Sequence, residues 1–170
     1  MKKLFLTVFL LSFLSSFSQI DSTRYYYNNK KYEKAIKYGE KEIVTSKDTI
    51  NLIQTSYYLG LCHIEADSLN ESNECFEKSL NLVNVYLGID NQNALTLNVK
   101  LFELNLYMKN LQKASFYLSN VINVYEKLYS NTDKIFIDYL YKYSMILEDL
   151  NEYTDAEKTI VKISEILINN

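Results

Sequence analysis

The stretch KKYEKAIKYGEKEI from Lys30 returns three times in altered form. The copies are DSLNESNECFEKSL from Asp67, KNLQKASFYLSNVI from Lys109 and NEYTDAEKTIVKIS from Asn151. Each begins polar and reaches an apolar or aromatic residue, namely Tyr32, Leu69, Leu111 or Tyr153. Three residues later each has a small one: Ala35, Ser72, Ala114, Ala156. The copies stand 37, 42 and 42 residues apart. Such a period confines the chain to stacked supersecondary units, because no unit can bury its apolar face alone.

The unit is a pair of helices. Apolar residues recur three and four apart, as in Leu111, Ala114, Leu118, Val121, Ile122 and Tyr125. A second helical pattern precedes each copy, over Thr49–Ala66, Asn91–Met108 and Thr132–Leu150. The leading helix of the first unit starts only near Asp21. There is no proline and there are three glycines, so little interrupts helix anywhere. Asp48, Asp90 and Asn131 or Thr132 are placed to cap helix starts, and Ser68 with Glu71 has capping-box spacing. Gly88 falls where a left-handed residue ends a helix. The expected architecture is all-α, a superhelical array of about four antiparallel helix pairs. The repeats fall at about 19–47, 48–88, 90–130 and 132–169.

Residues 1–18 read as a secretory signal peptide. Lys2 and Lys3 precede the apolar run LFLTVFLLSFL, and small residues Ser16 and Ser18 set a cleavage site after Ser18. The run is shorter than the ~20 residues a spanning helix needs. No cysteine follows the cleavage site to carry a lipid. The expectation is an exported protein, periplasmic or secreted, with no membrane insertion after cleavage. The abundance of Asn, Lys, Ile and Tyr has the look of an AT-rich bacterial genome. Without Lys2 and Lys3 the chain carries 16 basic and 21 acidic residues, a balance that speaks against nucleic acid.

Residues Leu59–Leu80 resemble a tetratricopeptide (TPR) repeat. Leu59 and Gly60 match the large and small residues of its first helix, and Ser72, Phe76 and Ser79 match the small, aromatic and small positions of its second. The 42-residue spacing and the link from Val85 resemble the long repeats of kinesin light chains. Gly39 and Glu42 depart from the pattern in the first repeat, as does Phe102 in the third. The resemblance covers Tyr25 to about Leu167 and implies a TPR-like α-solenoid with a general role in binding protein.

The stretch LCHIEAD, Leu61–Asp67, holds the single histidine and one of two cysteines, the residue types that metal or nucleophile chemistry needs. His63 and Asp67 share a helix face, but two ligands do not make a zinc site. By resemblance, His63 occupies a packed aromatic slot near Leu69. If Gly60 faces Ser72, Cys62 and Cys75 are five residues out of register, about 7.5 Å along the axis. That exceeds disulfide reach once ~8–10 Å between helices is added, so two free thiols are expected. No second histidine and no glycine-rich phosphate loop is present. No catalytic residue, metal or cofactor is expected.

Function is therefore expected on the concave face lined by first helices. Core positions there are Leu59, Gly60 and His63, then Leu101, Phe102 and Asn105, then Tyr143, Ser144 and Leu147. The neighbouring stripe is Tyr57, Leu61 and Ile64; Val99, Glu103 and Leu106; Tyr141, Met145 and Glu148. By resemblance this stripe is a peptide-binding groove, suited to a segment with aliphatic and basic side chains. The last helix, Tyr153–Ile168, ends in EILINN without a polar cap, and the expected cover is self-association, a partner, or residues missing from this chain. Two functions follow: an exported interaction scaffold, or the repeat portion of a larger exported or membrane signalling or protease-like protein.

Overall fold

The computed structural model describes residues 22–129 and 132–169. The signal-peptide reading of residues 1–18 lies outside them, as does the cap expected at Asn131. Among the described residues there are eight α-helices. They are α1 (Ser22–Asn28), α2 (Tyr32–Thr45), α3 (Thr49–Glu65), α4 (Leu69–Leu87), α5 (Gln92–Tyr107), α6 (Leu111–Leu128), α7 (Lys134–Asp149) and α8 (Tyr153–Ile168). Odd and even helices pair, and successive pairs stack. The short first spacing comes from α2, which has 14 residues where α4 has 19.

The turn inside each pair is built the same way. Lys30, Asp67, Lys109 and Asn151 all have left-handed backbone, with φ of 56°, 57°, 60° and 62°. They stand at the repeat interval. At the second turn Asp67 N–H donates to Ile64 O at 3.0 Å and Ser68 N–H to His63 O at 2.8 Å. This doubled closure is a Schellman motif, and the same two bonds recur at the other three turns. It also corrects the capping box: Ser68 makes no side-chain cap bond, because its backbone serves the preceding helix end. Two further caps differ by one or two residues. Asn91 rather than Asp90 caps α5, accepting from Asn93 N–H at 2.9 Å and Ala94 N–H at 3.0 Å. Asp133 rather than Thr132 precedes α7, with no side-chain cap bond. Asp48 caps α3 as its spacing predicts, accepting from Ile50 N–H at 2.9 Å. Gly88 takes φ of 84° at the end of α4.

Small residues set the approach within pairs. Ala35, Ser72, Ala114 and Ala156 are all at most 2% exposed. Ser72 Oγ donates to Gly60 O and Ser79 Oγ to Ile53 O, both at 2.9 Å, so the antiparallel register of α3 and α4 is the one the small residues predict. A Cβ on Gly60 would stand 2.6 Å from the Phe76 ring. The departures in the first repeat have a reason too. Gly39 receives Leu59 from α3, which would meet a Cβ at 2.6 Å. Glu42 accepts from Asn51 Nδ2 at 2.8 Å and Thr23 Oγ1 at 3.3 Å, joining α1, α2 and α3.

The largest continuous core runs through α4–α7, from Phe76 to Ile146. Within it, Asn105 Nδ2 donates to Asn73 Oδ1 at 2.7 Å across a repeat boundary. A polar strap lies nearby. Glu77 on α4 accepts from Tyr117 Oη at 2.7 Å, Lys113 Nζ at 3.0 Å and Asn73 Nδ2 at 2.8 Å. At the far end α8 buries only Ala156 and Thr159, and leaves Ile160, Val161, Leu167 and Ile168 exposed.

Candidate functional site

The first helices α3, α5 and α7 present one face in common, and the stripe picked from the sequence lies along it. Its burial is graded. On α3, Tyr57 and Leu61 are half-buried and Ile64 is exposed. Tyr57 packs on Phe76 with ring centroids 5.8 Å apart, so part of this stripe belongs to the core. On α5, Val99 is half-buried while Glu103 and Leu106 are exposed. On α7, Tyr141 is 60% exposed and Met145 51%, and Glu148 is also exposed. The gradient follows position in the stack. Helix α3 meets α1 on one side and shares two clefts with α5 on the other, whereas among the described residues no first helix follows α7 in the stack.

Two clefts of about 260 Å³ each lie between α3 and α5 on this face. One gathers Arg24, Gln54, Tyr57, Tyr58 and Thr96. The Arg24 guanidinium sits 5.7 Å from the centre of the Tyr58 ring, a cation–π distance. The other cleft joins Ile64, Leu69 and Tyr107 with Lys100 and Glu103, whose ion pair measures 3.1 Å.

The stripe missed Tyr58, Lys100 and Lys142, which form a second row one residue along, at the 42-residue interval. Lys142 Nζ stands 5.9 Å from the Tyr139 ring. The signal was present, since each follows a stripe position directly. With Lys100 and Lys142 beside Glu103 and Glu148, the face carries both charges. It is less acidic than the stripe alone implies.

The core positions expected beside the groove are packed. Leu59, Gly60, Leu101, Phe102, Asn105, Ser144 and Leu147 are buried, and His63 and Tyr143 are half-buried. Burial pushes the Tyr143 hydroxyl above its ordinary pKa.

LCHIEAD forms the last turns of α3. His63 has a buried Nδ1 without a hydrogen-bond partner, and Glu65 and Asp67 are exposed. Cys62 and Cys75 are free thiols, the first buried and the second half-buried. Burial, with Cys75 and Glu65 nearby, pushes the Cys62 thiol up to about 12. Burial likewise takes Cys75 to about 11. Both are protonated at neutral pH, the form that is not nucleophilic. Among the described residues no three His, Cys, Asp or Glu side chains are grouped to hold a metal ion. No helix there is long and apolar enough to cross a membrane.

The repeated helix pairs, their small-residue contacts and their shared turn define a TPR-like fold, and comparison with solved structures shows the same. BtubC (BKLC) from P. vanneervenii superposes with a TM-score of 0.63 at 10% identity, over 88% of this chain and 63% of that one. A Podosopora anserina protein described as a kinesin light chain with nearly identical TPR-like repeats gives 0.65 at 13% identity, over 87% and 72%. MamA gives 0.57 at 17% identity, over 88% and 76%. The chain thus spans less than two thirds of the length of BtubC. No family model matches it. No curated protein matches it significantly in sequence.

Proposed function

We propose that the protein is an exported scaffold that holds a segment of a partner protein along the face of α3, α5 and α7. The observation that carries this is the stripe's aromatic and apolar surface, left open on α7 at Tyr141 and Met145 and cleft between α3 and α5. Solenoids use such a repeated face because neighbouring units offer similar groups at a fixed interval. Tyr141, Met145 and Leu106 supply apolar contact, while Lys100, Glu103 and Glu148 fix register through charge. A segment with aliphatic side chains and both charges suits it.

Two measurements test this reading. Export with cleavage after Ser18 predicts a mature chain starting at Gln19, read by N-terminal sequencing of protein recovered from the cell envelope. An N-terminus at Met1 in the envelope fraction refutes cleavage. For the binding face, the protein is cross-linked in its native envelope and its partners are identified by mass spectrometry. The triple replacement Glu103→Ala, Tyr141→Ala, Met145→Ala uses exposed positions, so the fold is kept. It should lose the partner recovered by the wild type. Unchanged recovery overturns the assignment.

A further inference from the structure

A different cleft, of about 490 Å³, is walled by the second helices α4 and α6, with α5 as its floor. Four asparagines line it: Asn84, Asn98, Asn120 and Asn123. Asn98 is only 4% exposed. Its Nδ2 donates to Ala94 O at 2.8 Å, and its Oδ1 is buried with no donor to accept from. The side-chain amides of Asn84, Asn120 and Asn123 have no hydrogen-bond partner among the described residues. Asn98 is thus a buried amide only half used, an exception among buried polar groups, and it lies beneath the amides of half-buried Asn84 and Asn120 and exposed Asn123.

The charged groups around it are already spent on one another. Asp90 pairs with Lys127 at 2.8 Å and Glu126 with Lys162 at 2.9 Å. What remains is neutral, with Ile89 and Val124 as apolar wall. The Asp90–Lys127 pair crosses the cleft's wall from the α4–α5 link to α6.

We propose that this cleft binds a saccharide unit of a neutral glycan. A carboxamide offers a donor and an acceptor side by side, the arrangement that adjacent sugar hydroxyls complement. Three free amides can hold such a ring from its edges. A hydroxyl directed to the floor would supply the donor that Asn98 Oδ1 lacks, and Ile89 and Val124 would cover the ring's C–H surface. The site is separate from the first-helix face and does not depend on it.

The test is a titration of the purified protein, following side-chain amide resonances by ¹H–¹⁵N NMR. The probes are the methyl glycosides of glucose, galactose, mannose and N-acetylglucosamine, with N-acetylglycine methylamide as a peptide mimic. At least one glycoside should shift the amide pairs of Asn84, Asn120 and Asn123 saturably. Asn120→Ala with Asn123→Ala should weaken that binding roughly thirtyfold, the loss of two hydrogen-bonded contacts. Asn123→Ala alone, at an exposed position, should weaken it in the same direction. Glu33→Gln, on α2, should leave it unchanged. The proposal is overturned if no glycoside gives saturable shifts, if the peptide mimic binds these amides more tightly, or if both asparagine variants bind as the wild type does.

Discussion

At Gly60 the backbone of α3 lies directly under the Phe76 ring, and a methyl group has nowhere to go. Phe76 is fully buried, so it cannot swing aside into solvent. Gly60→Ala should therefore destabilise the protein by ~1–3 kcal/mol, the usual cost of overpacking, despite alanine's better helix propensity. Urea unfolding measures this. Adding Phe76→Leu should recover part of the loss, which a double-mutant cycle detects as coupling. Glu77 makes a second residue-scale prediction. Burial pushes its carboxyl pKa up, but the bonds from Tyr117, Lys113 and Asn73 outweigh this and hold it below the ordinary value. A folded value below the unfolded one means that the stabilisation is complete above the ordinary glutamate range. It is lost as pH falls through the folded value. Glu77→Gln should cost about 1 kcal/mol at pH 7, a modest figure because solvent screens a side chain this exposed. The gap to wild type should narrow as pH drops below about 4, in parallel melts across that range.

The recurring element is the turn between paired helices, and it places a non-glycine residue in left-handed backbone at every repeat. Such a residue costs about 1 kcal/mol over glycine, less for asparagine. Lys109→Gly should thus raise stability by ~0.5–1 kcal/mol in urea unfolding, and Asn151→Gly by less. A fall in either case would mean that the side chain itself holds the turn. These turns also mark what the sequence could disclose. The helix pairs were legible because Ala35, Ser72, Ala114 and Ala156 must be small for backbones to approach, and that demand repeats at a fixed interval. The left-handed residues were not, since Lys30, Asp67 and Lys109 carry no glycine signal and their conformation is set by two backbone bonds. Caps slipped for a similar reason. Asp90 and Asn91 are both good caps, and only the length of the link decides which one meets the amides of α5. On the candidate face, periodicity located the stripe. It could not show that Tyr57 leans onto Phe76, nor that the row of Tyr58, Lys100 and Lys142 shares the surface, because both depend on the angle between stacked pairs.

In an array of this kind each unit touches only its neighbours, so stability is distributed along the stack rather than around one centre. The distribution here is uneven. Helices α5 and α6 each bury eight residues, whereas α1 buries only Thr23 and α8 only Ala156 and Thr159. The ties between repeats follow the same trend. The Asn73–Asn105 bond and the Glu77 strap both join the second repeat to the third. At the far end, Lys162 reaches back to Glu126 at 2.9 Å and sits 5.5 Å from the Phe136 ring, at the surface. Opening free energies should therefore rise from both ends towards the middle. In native-state hydrogen exchange, amides of α5 and α6 should open only with global unfolding. Those of α8 and of α1 should exchange through local opening at lower cost, and denaturant should leave their rates nearly unchanged. Phe102→Ala, in the middle, should cost ~3–5 kcal/mol and lower protection in all the central helices at once. The same protection in α8 as in α5 would contradict this order, and would mean that the exposed Ile160, Leu167 and Ile168 are covered in solution.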